Sequence, residues 1–139
     1  MTLRYLLDTT VLSEPLRARP DRRVLARLFG VADECATAAP VLHELRYGSA
    51  ILAASKRRDA IEAYIDDVVL AIYPVLPYDA AAAAWHARER ARLERRGRRR
   101  PFVDGLIAAV AAAHGLVLVT DNARDFDGYQ DLTVATWRD

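Results

Sequence analysis

The stretch PFVDGLIAAVAAAHGLVLVTDNARDF (101–126) carries the decisive pattern. Pro101 stands where a first helical residue belongs, and Phe102 to His114 read as an apolar, alanine-rich helix. Gly115 then falls just past the helix end, where a left-handed backbone closes the last turn. Leu116 to Val119 follow at once as a short continuous apolar run, the mark of a buried strand.

The same alternation extends in both directions. Leu3 to Leu7 is a short apolar run ended by Asp8, and it reads as a first strand. Pro20-Asp21 opens a helix through about Gly30, with Asp21 as its N-cap. Glu34 to Ala38 reads as a second strand. Pro40 starts a helix on which Val41, Leu42, Leu45, Ala50, Ile51 and Leu52 fall near helical spacing. Arg57 to Tyr73 repeats that pattern, Pro74 to Leu76 makes a third strand, and Asp79 caps a long helix through about Arg96. Leu132 to Ala135 completes the set as a last strand before Trp137. Strands separated by helices or helix pairs predict an α/β protein: a three-layer α/β/α sandwich on a mainly parallel sheet of four or five short strands.

The 139 residues suit one domain, expected to span 1–139 without a linker, repeat or low-complexity tail. A 53% share of hydrophobic residues and 28% of charged ones is a globular balance, which excludes a disordered chain. The lone Cys35 excludes an internal disulfide and fits a reducing cytosol. Asp8 arrives too early for a signal peptide, and the apolar run from Gly105 to Thr120 is too short to span a bilayer. A cytoplasmic protein without a membrane partner is expected.

The net charge of +1 hides an uneven layout. Between Arg88 and Arg100, eight arginines meet only Glu89 and Glu94, so the rest of the chain is net acidic. An acidic pocket beside a basic flank is the arrangement this predicts.

In parallel sheets, ligands sit beyond the carboxyl ends of the strands. Asp8 and Asp121 end strands there, Asp125 follows, and Glu44 and Asp104 fall in the opening turns of helices that point to the same edge. Taken singly, each acid has an ordinary explanation as a turn former or helix-dipole partner. Asp8 leans toward function, since no turn signal follows it. Jointly they carry more weight: two carboxylates about 5 Å apart repel by roughly 3 kcal/mol at an effective dielectric near 20. Such a group protonates, splays or binds cations, and oxygen-only donors favour Mg²⁺ or Mn²⁺. A cation held beside arginines is what phosphodiester cleavage needs.

LLDTTVLSEPLR (6–17), APVLHELRYG (39–48), PFVDGLIAAVAAAHGL (101–116) and VLVTDNARDF (117–126) together resemble the PIN-domain ribonucleases, in particular toxins of the VapC type and their FitB-like branch. The resemblance covers the whole chain, to the ending in Trp137. It implies the toxin of a type II toxin–antitoxin pair: an endoribonuclease dependent on Mg²⁺, or Mn²⁺ as substitute, that leaves 5′-phosphate and 3′-hydroxyl ends. It implies Asp8, Glu44, Asp104 and Asp125 as catalytic acids, with Asp8 and Asp104 as metal ligands. Asp121, Asn122, Thr9 and Thr120 stand as supporting residues, with Asp125 ahead of Asp121 as fourth acid. Where the family usually has Asp-Thr-Asn, this chain has Asp8-Thr9-Thr10, a hydroxyl in place of an amide. The partners implied are RNA, a small antitoxin of the VapB or FitA kind, and a second copy of the chain or a toxin–antitoxin hetero-oligomer.

Arg95, Arg96, Arg98, Arg99 and Arg100 cluster just before Asp104 and are expected to contact the RNA backbone. Tyr47, Tyr78, Trp85 and Tyr129 are aromatics able to stack on bases, though core or rim positions are more common for such residues. A metal-free mechanism on His43, His86 and His114 finds little support: His114 suits a helix end, and His43 and Glu44, as consecutive helical residues, share no face. The alternative function is a catalytically inactive PIN-like module that binds RNA or protein. Retention of mutually repelling carboxylates argues against it.

Overall fold

The computed structural model describes residues 2–138; Met1 and Asp139, the ends of the expected 1–139 unit, lie outside the described residues. Five short strands make one sheet: β1 (Tyr5–Leu7), β2 (Cys35–Ala38), β3 (Val75–Leu76), β4 (Val117–Val119) and β5 (Val134–Ala135). Their order is β3-β2-β1-β4-β5, and every neighbouring pair is parallel. Tyr5 is registered against Cys35 on one side and Val117 on the other. All residues of β1 and β2 are buried. Successive side chains on a strand face opposite ways, so burial of every one requires cover on both faces.

The cover comes from helices. α1 (Thr9–Leu12) leaves β1 directly, and a 3₁₀ turn (Glu14–Leu16) leads toward α2 (Arg22–Gly30). Asp21 caps α2 as expected, its carboxylate accepting the Arg23 and Val24 N–H groups. α3 (Ala39–Ala50) follows β2 without a break. The predicted helix Arg57–Tyr73 is in fact three pieces: α4 (Lys56–Tyr64), a π-helical turn (Ile65–Val69) and α5 (Leu70–Ile72). The wide turn buries Ile65 and Val69. Asp79 caps α6 (Ala80–Arg95), and α7 (Phe102–Ala113) is preceded by Pro101 as its cap rather than as its first residue. Gly115 closes α7 with φ of 65°, the left-handed position foreseen for it.

The expected strands survive with trimmed ends. Leu3, Arg4, Glu34, Pro74, Leu116, Leu132 and Thr133 fall outside the regular ladders. Trp137 is buried and meets Tyr5 edge-to-face with ring centroids 5.5 Å apart, fastening the end of the chain under β1.

Two features fix where a site can form. From β1 the chain runs outward to β2 and β3, then returns to the far side of β1 for β4 and β5. The β1/β4 boundary is therefore the switch point, where the loops part and leave a crevice beyond the carboxyl edge. The second feature is Gly105. A Cβ there would stand 2.3 Å from Nε2 of His86, so only glycine lets α7 lie this close to α6.

Candidate active site

Asp8 leaves β1 at the switch point and is only 6% exposed. Its carboxylate is held from three directions. Oδ1 accepts the Thr9 N–H at 2.8 Å, Oδ2 accepts the Thr120 hydroxyl at 2.7 Å, and the Thr10 hydroxyl lies 3.5 Å from Oδ2. Thr120 follows β4, so one hydrogen bond joins the ends of the two central strands. Burial pushes the Asp8 carboxyl up from its usual range; the Thr120 and Thr9 donors hold it back, and the nearby Glu44 charge adds to the rise.

Glu44 lies in the second turn of α3, since that helix opens at Ala39. The helix opens one residue before the expected Pro40, so Glu44 stands just past the opening turn in which it was expected. Its Oε1 accepts the Thr9 hydroxyl at 2.6 Å. Asp104 sits in the first turn of α7, half-buried. Burial pushes its carboxyl up to about 6, the charges of Asp8, Asp125 and Glu44 push the same way, and Arg100 opposes them. Asp125 is exposed on a 3₁₀ turn (Ala123–Phe126) anchored by the buried Phe126. Asp104 therefore lies within reach of the charge of three acids from three other segments.

Asp121 is drawn elsewhere. Its Oδ2 lies 2.9 Å from Nε of Arg138 and 3.7 Å from Nη2 of Arg17, and it is not among the charges that raise Asp104. Its N–H donates to the Thr10 hydroxyl at 3.0 Å. Thr10 thus supports the site from the position where the family usually has an amide. The Asn122 side chain is exposed, while its N–H donates to Thr120 Oγ1 at 3.0 Å. Sequence reasoning missed Arg138 altogether, because nothing local marks an arginine near the chain end as the partner of Asp121 and Glu14.

The five expected RNA-facing arginines divide. Arg95, Arg96 and Arg99 are exposed, and their side chains make no ion pair or hydrogen bond among the described residues. Arg98 and Arg100 instead turn their guanidinium groups onto the Asp127 carbonyl, and Arg100 also reaches Arg124 O. Of the aromatics, Trp85 is buried and packs on Tyr129 with centroids 5.6 Å apart, and Tyr78 is bonded to His86; Tyr47 is exposed. His86 is buried behind α7 and His114 bonds the Val110 carbonyl, so neither faces the acids as an acid–base pair.

Asp8, Glu44, Asp104 and Asp125 offer oxygen donors only, which suits a hard divalent cation by charge and donor type. Among the described residues, no three His, Cys, Asp or Glu side chains already form a ligand group. Burial raises the carboxyls of both Asp8 and Asp104, Glu44 adds to the first rise and Asp8, Asp125 and Glu44 to the second, and a bound cation would relieve that strain on their charged forms.

Carboxylates gathered beyond the central strands of a parallel α/β sheet, at its switch point, define the class of protein. The chain matches the PIN domain pattern over residues 5–132, and it belongs to the PIN-domain family. It is 32% identical to Toxin FitB of Neisseria gonorrhoeae, covering 96% of this chain and 99% of that one. It is also 32% identical to the tRNA(fMet)-specific endonuclease VapC of Shigella flexneri, covering 97% and 98% of the two chains. The solved DNA-bound VapBC from Salmonella typhimurium superimposes with a TM-score of 0.86 at 27% identity, covering 98% of this chain and 99% of that one. The family expected from the sequence motifs and the flanked parallel sheet are both shown.

Proposed function

We propose that this chain is the ribonuclease toxin of a VapBC-type pair, an endoribonuclease that uses Mg²⁺ or Mn²⁺ at its four-acid cleft. The observation that carries the reading is the convergence of Asp8, Glu44 and Asp125 on Asp104, whose carboxyl is pushed up to about 6 by burial first and then by those three charges. Likeness over nearly full length to chains named toxin and endonuclease supports it. On the same likeness the partners are RNA, a small VapB- or FitA-like antitoxin, and a second copy of the chain or a hetero-oligomer with the antitoxin. The site of action is the cytoplasm; among the described residues no helix is long and apolar enough to cross a membrane.

Asp8 and Asp104 would hold the cation, with Asp125 completing the shell. When bound, it supplies Lewis-acid stabilisation of charge on the phosphodiester and favours ionisation of water. The protein's own contribution is orientation. Thr120 and the Thr9 N–H fix Asp8 in one rotamer before any ligand arrives. The Thr9 hydroxyl fixes Glu44, which has a second oxygen free to accept a proton from the attacking water. Arg95, Arg96 and Arg99 stand exposed on the flank to receive phosphates.

The test is cleavage of total cellular RNA with Mg²⁺, with Mn²⁺ and with EDTA, alongside Asp104→Asn. Cation-dependent cuts with 5′-phosphate ends, absent in the variant, are expected. Cutting that persists in EDTA and in the variant would refute the carboxylate mechanism, and RNA binding without any cutting would favour the inactive module.

A further inference from the structure

Three arginines leave the end of α6 and the turn behind it, and all three finish on one loop. Arg100 donates to the Asp127 carbonyl at 2.7 Å and to the Arg124 carbonyl at 3.3 Å. Arg98 reaches Asp127 O at 3.5 Å, and Arg92 donates to the Gly128 carbonyl. Glu89 accepts the Gln130 N–H at 2.6 Å. The backbone of residues 124–130 is thus satisfied largely by side chains of α6 and its following turn rather than by the sheet. Gly128 seals the arrangement: its φ is 94°, and a Cβ there would stand 2.9 Å from Arg98 Nη1.

The placement of Arg100 gives this clamp a functional reading. It directly precedes Pro101, the cap of α7, and Asp104 lies in the first turn of that helix. The carbonyls it grips belong to the turn bearing Asp125 and to the residue that ends it. One guanidinium therefore couples the segments that supply two of the four acids. A planar fork can hold two carbonyls at once, which an ammonium cannot do with the same geometry.

We propose that Arg100 is a positioning residue, whose grip on Arg124 and Asp127 sets the Asp104–Asp125 separation and so the cleft's affinity for a divalent cation, leaving phosphate contact to Arg95, Arg96 and Arg99. The proposal rests on the four-acid cation site described above. It has a sign that simple charge does not share. By Coulomb's law alone, removing a cation from near Asp104 tightens Mn²⁺ binding. Loss of a positioning contact weakens it instead, by about tenfold or more where such supports have been removed from metal sites.

The experiment pairs hydrogen exchange of metal-free protein over residues 124–130 with Mn²⁺ titration by calorimetry, in wild type, Arg100→Ala, Arg100→Lys, Gly128→Ala and Arg99→Ala. Arg100→Lys and Gly128→Ala keep the assay decisive if Arg100→Ala does not fold. Faster loop exchange with weaker Mn²⁺ binding is expected in all three clamp variants, Lys included. Arg99→Ala is expected to keep wild-type exchange and Mn²⁺ affinity while binding RNA less tightly. Unchanged exchange in the Arg100 variants overturns the clamp. Faster exchange with equal or tighter Mn²⁺ binding overturns its link to the acids. A wild-type chain that takes up no Mn²⁺ overturns the cation reading of the site, and loop exchange in the same samples still decides the clamp.

Discussion

The Thr9 hydroxyl donates to Glu44 Oε1 at 2.6 Å, joining the first residue of α1 to the second turn of α3. Thr9 also gives its backbone N–H to Asp8. One residue thus orients two acids of the cleft, through its main chain and through its side chain.

Thr9→Val keeps the shape and the N–H but removes the hydroxyl. A hydrogen bond to a charged group contributes about 1.5 kcal/mol or more, so a roughly tenfold loss of cleavage rate is expected if Glu44 acts only when held. Thr9→Ser retains the donor and should cut at a rate close to wild type. Single-turnover cleavage of a defined RNA would settle the matter; equal rates for Thr9→Val and wild type would show that Glu44 needs no such support.

Gly105 lets the His86 ring press against the backbone of α7 beside Asp104. Gly105→Ala places a methyl group 2.3 Å from Nε2 of a buried ring that is itself bonded to Tyr78. Overpacking of this kind costs about 1–3 kcal/mol. Urea unfolding should show that loss, and His86→Ala in the same chain should recover part of it. A Gly105→Ala chain as stable as wild type would mean that α6 and α7 separate freely.

Much of this arrangement was legible in the sequence because it is local. Caps at Asp21 and Asp79, the stop at Gly115 and the apolar strand runs each depend on neighbours within a few residues. Asp8 stood out for the same reason, as an acid ending an apolar run. The π turn at Ile65–Val69 was hidden, since its apolar spacing also suits an ordinary helix and only packing selects the wider turn. The arginines show the limit most clearly. A run of like charge reads as one surface, yet Arg98 and Arg100 are committed to carbonyls 24 to 29 residues away. Asp121 and Arg138 likewise meet only through the fold.

Asp104 makes stability and cation binding depend on pH in opposite directions. Its carboxyl is pushed up to about 6 in the folded chain, by burial first and then by Asp8, Asp125 and Glu44. The folded state therefore binds the proton more tightly than the unfolded state, and its stability falls as pH rises from about 4 through 6. Asp8 is raised as well and adds to the same trend. His86, held below its usual value by burial, works the other way over part of this range, so the carboxyl's contribution is read as a difference. In metal-free melts across pH 4–7, wild type should lose stability relative to Asp104→Asn as pH rises. Mn²⁺ competes with the proton, so its affinity should rise over the same interval; a flat affinity profile would exclude Asp104 as a ligand.

Glu14 is fully buried, and Arg138 is its nearest ionic partner. Arg138 also lies 3.4 Å from Asp21 and 2.9 Å from Asp121, so one side chain near the chain end serves acids from three segments. Arg17 gives Glu14 a second, longer contact at 3.5 Å but is about half exposed. Removing Arg138 leaves a buried carboxylate without its closest countercharge, and the loss of one partner from such a pair costs roughly 3 kcal/mol or more. Arg138→Ala should therefore be markedly less stable in urea. Glu14→Gln combined with Arg138→Ala should regain part of the loss, because the stranded charge rather than the missing contact is the larger penalty. The test of that attribution is the double-mutant cycle: strict additivity would place the stability of this corner in packing, with the ion pair contributing nothing of its own.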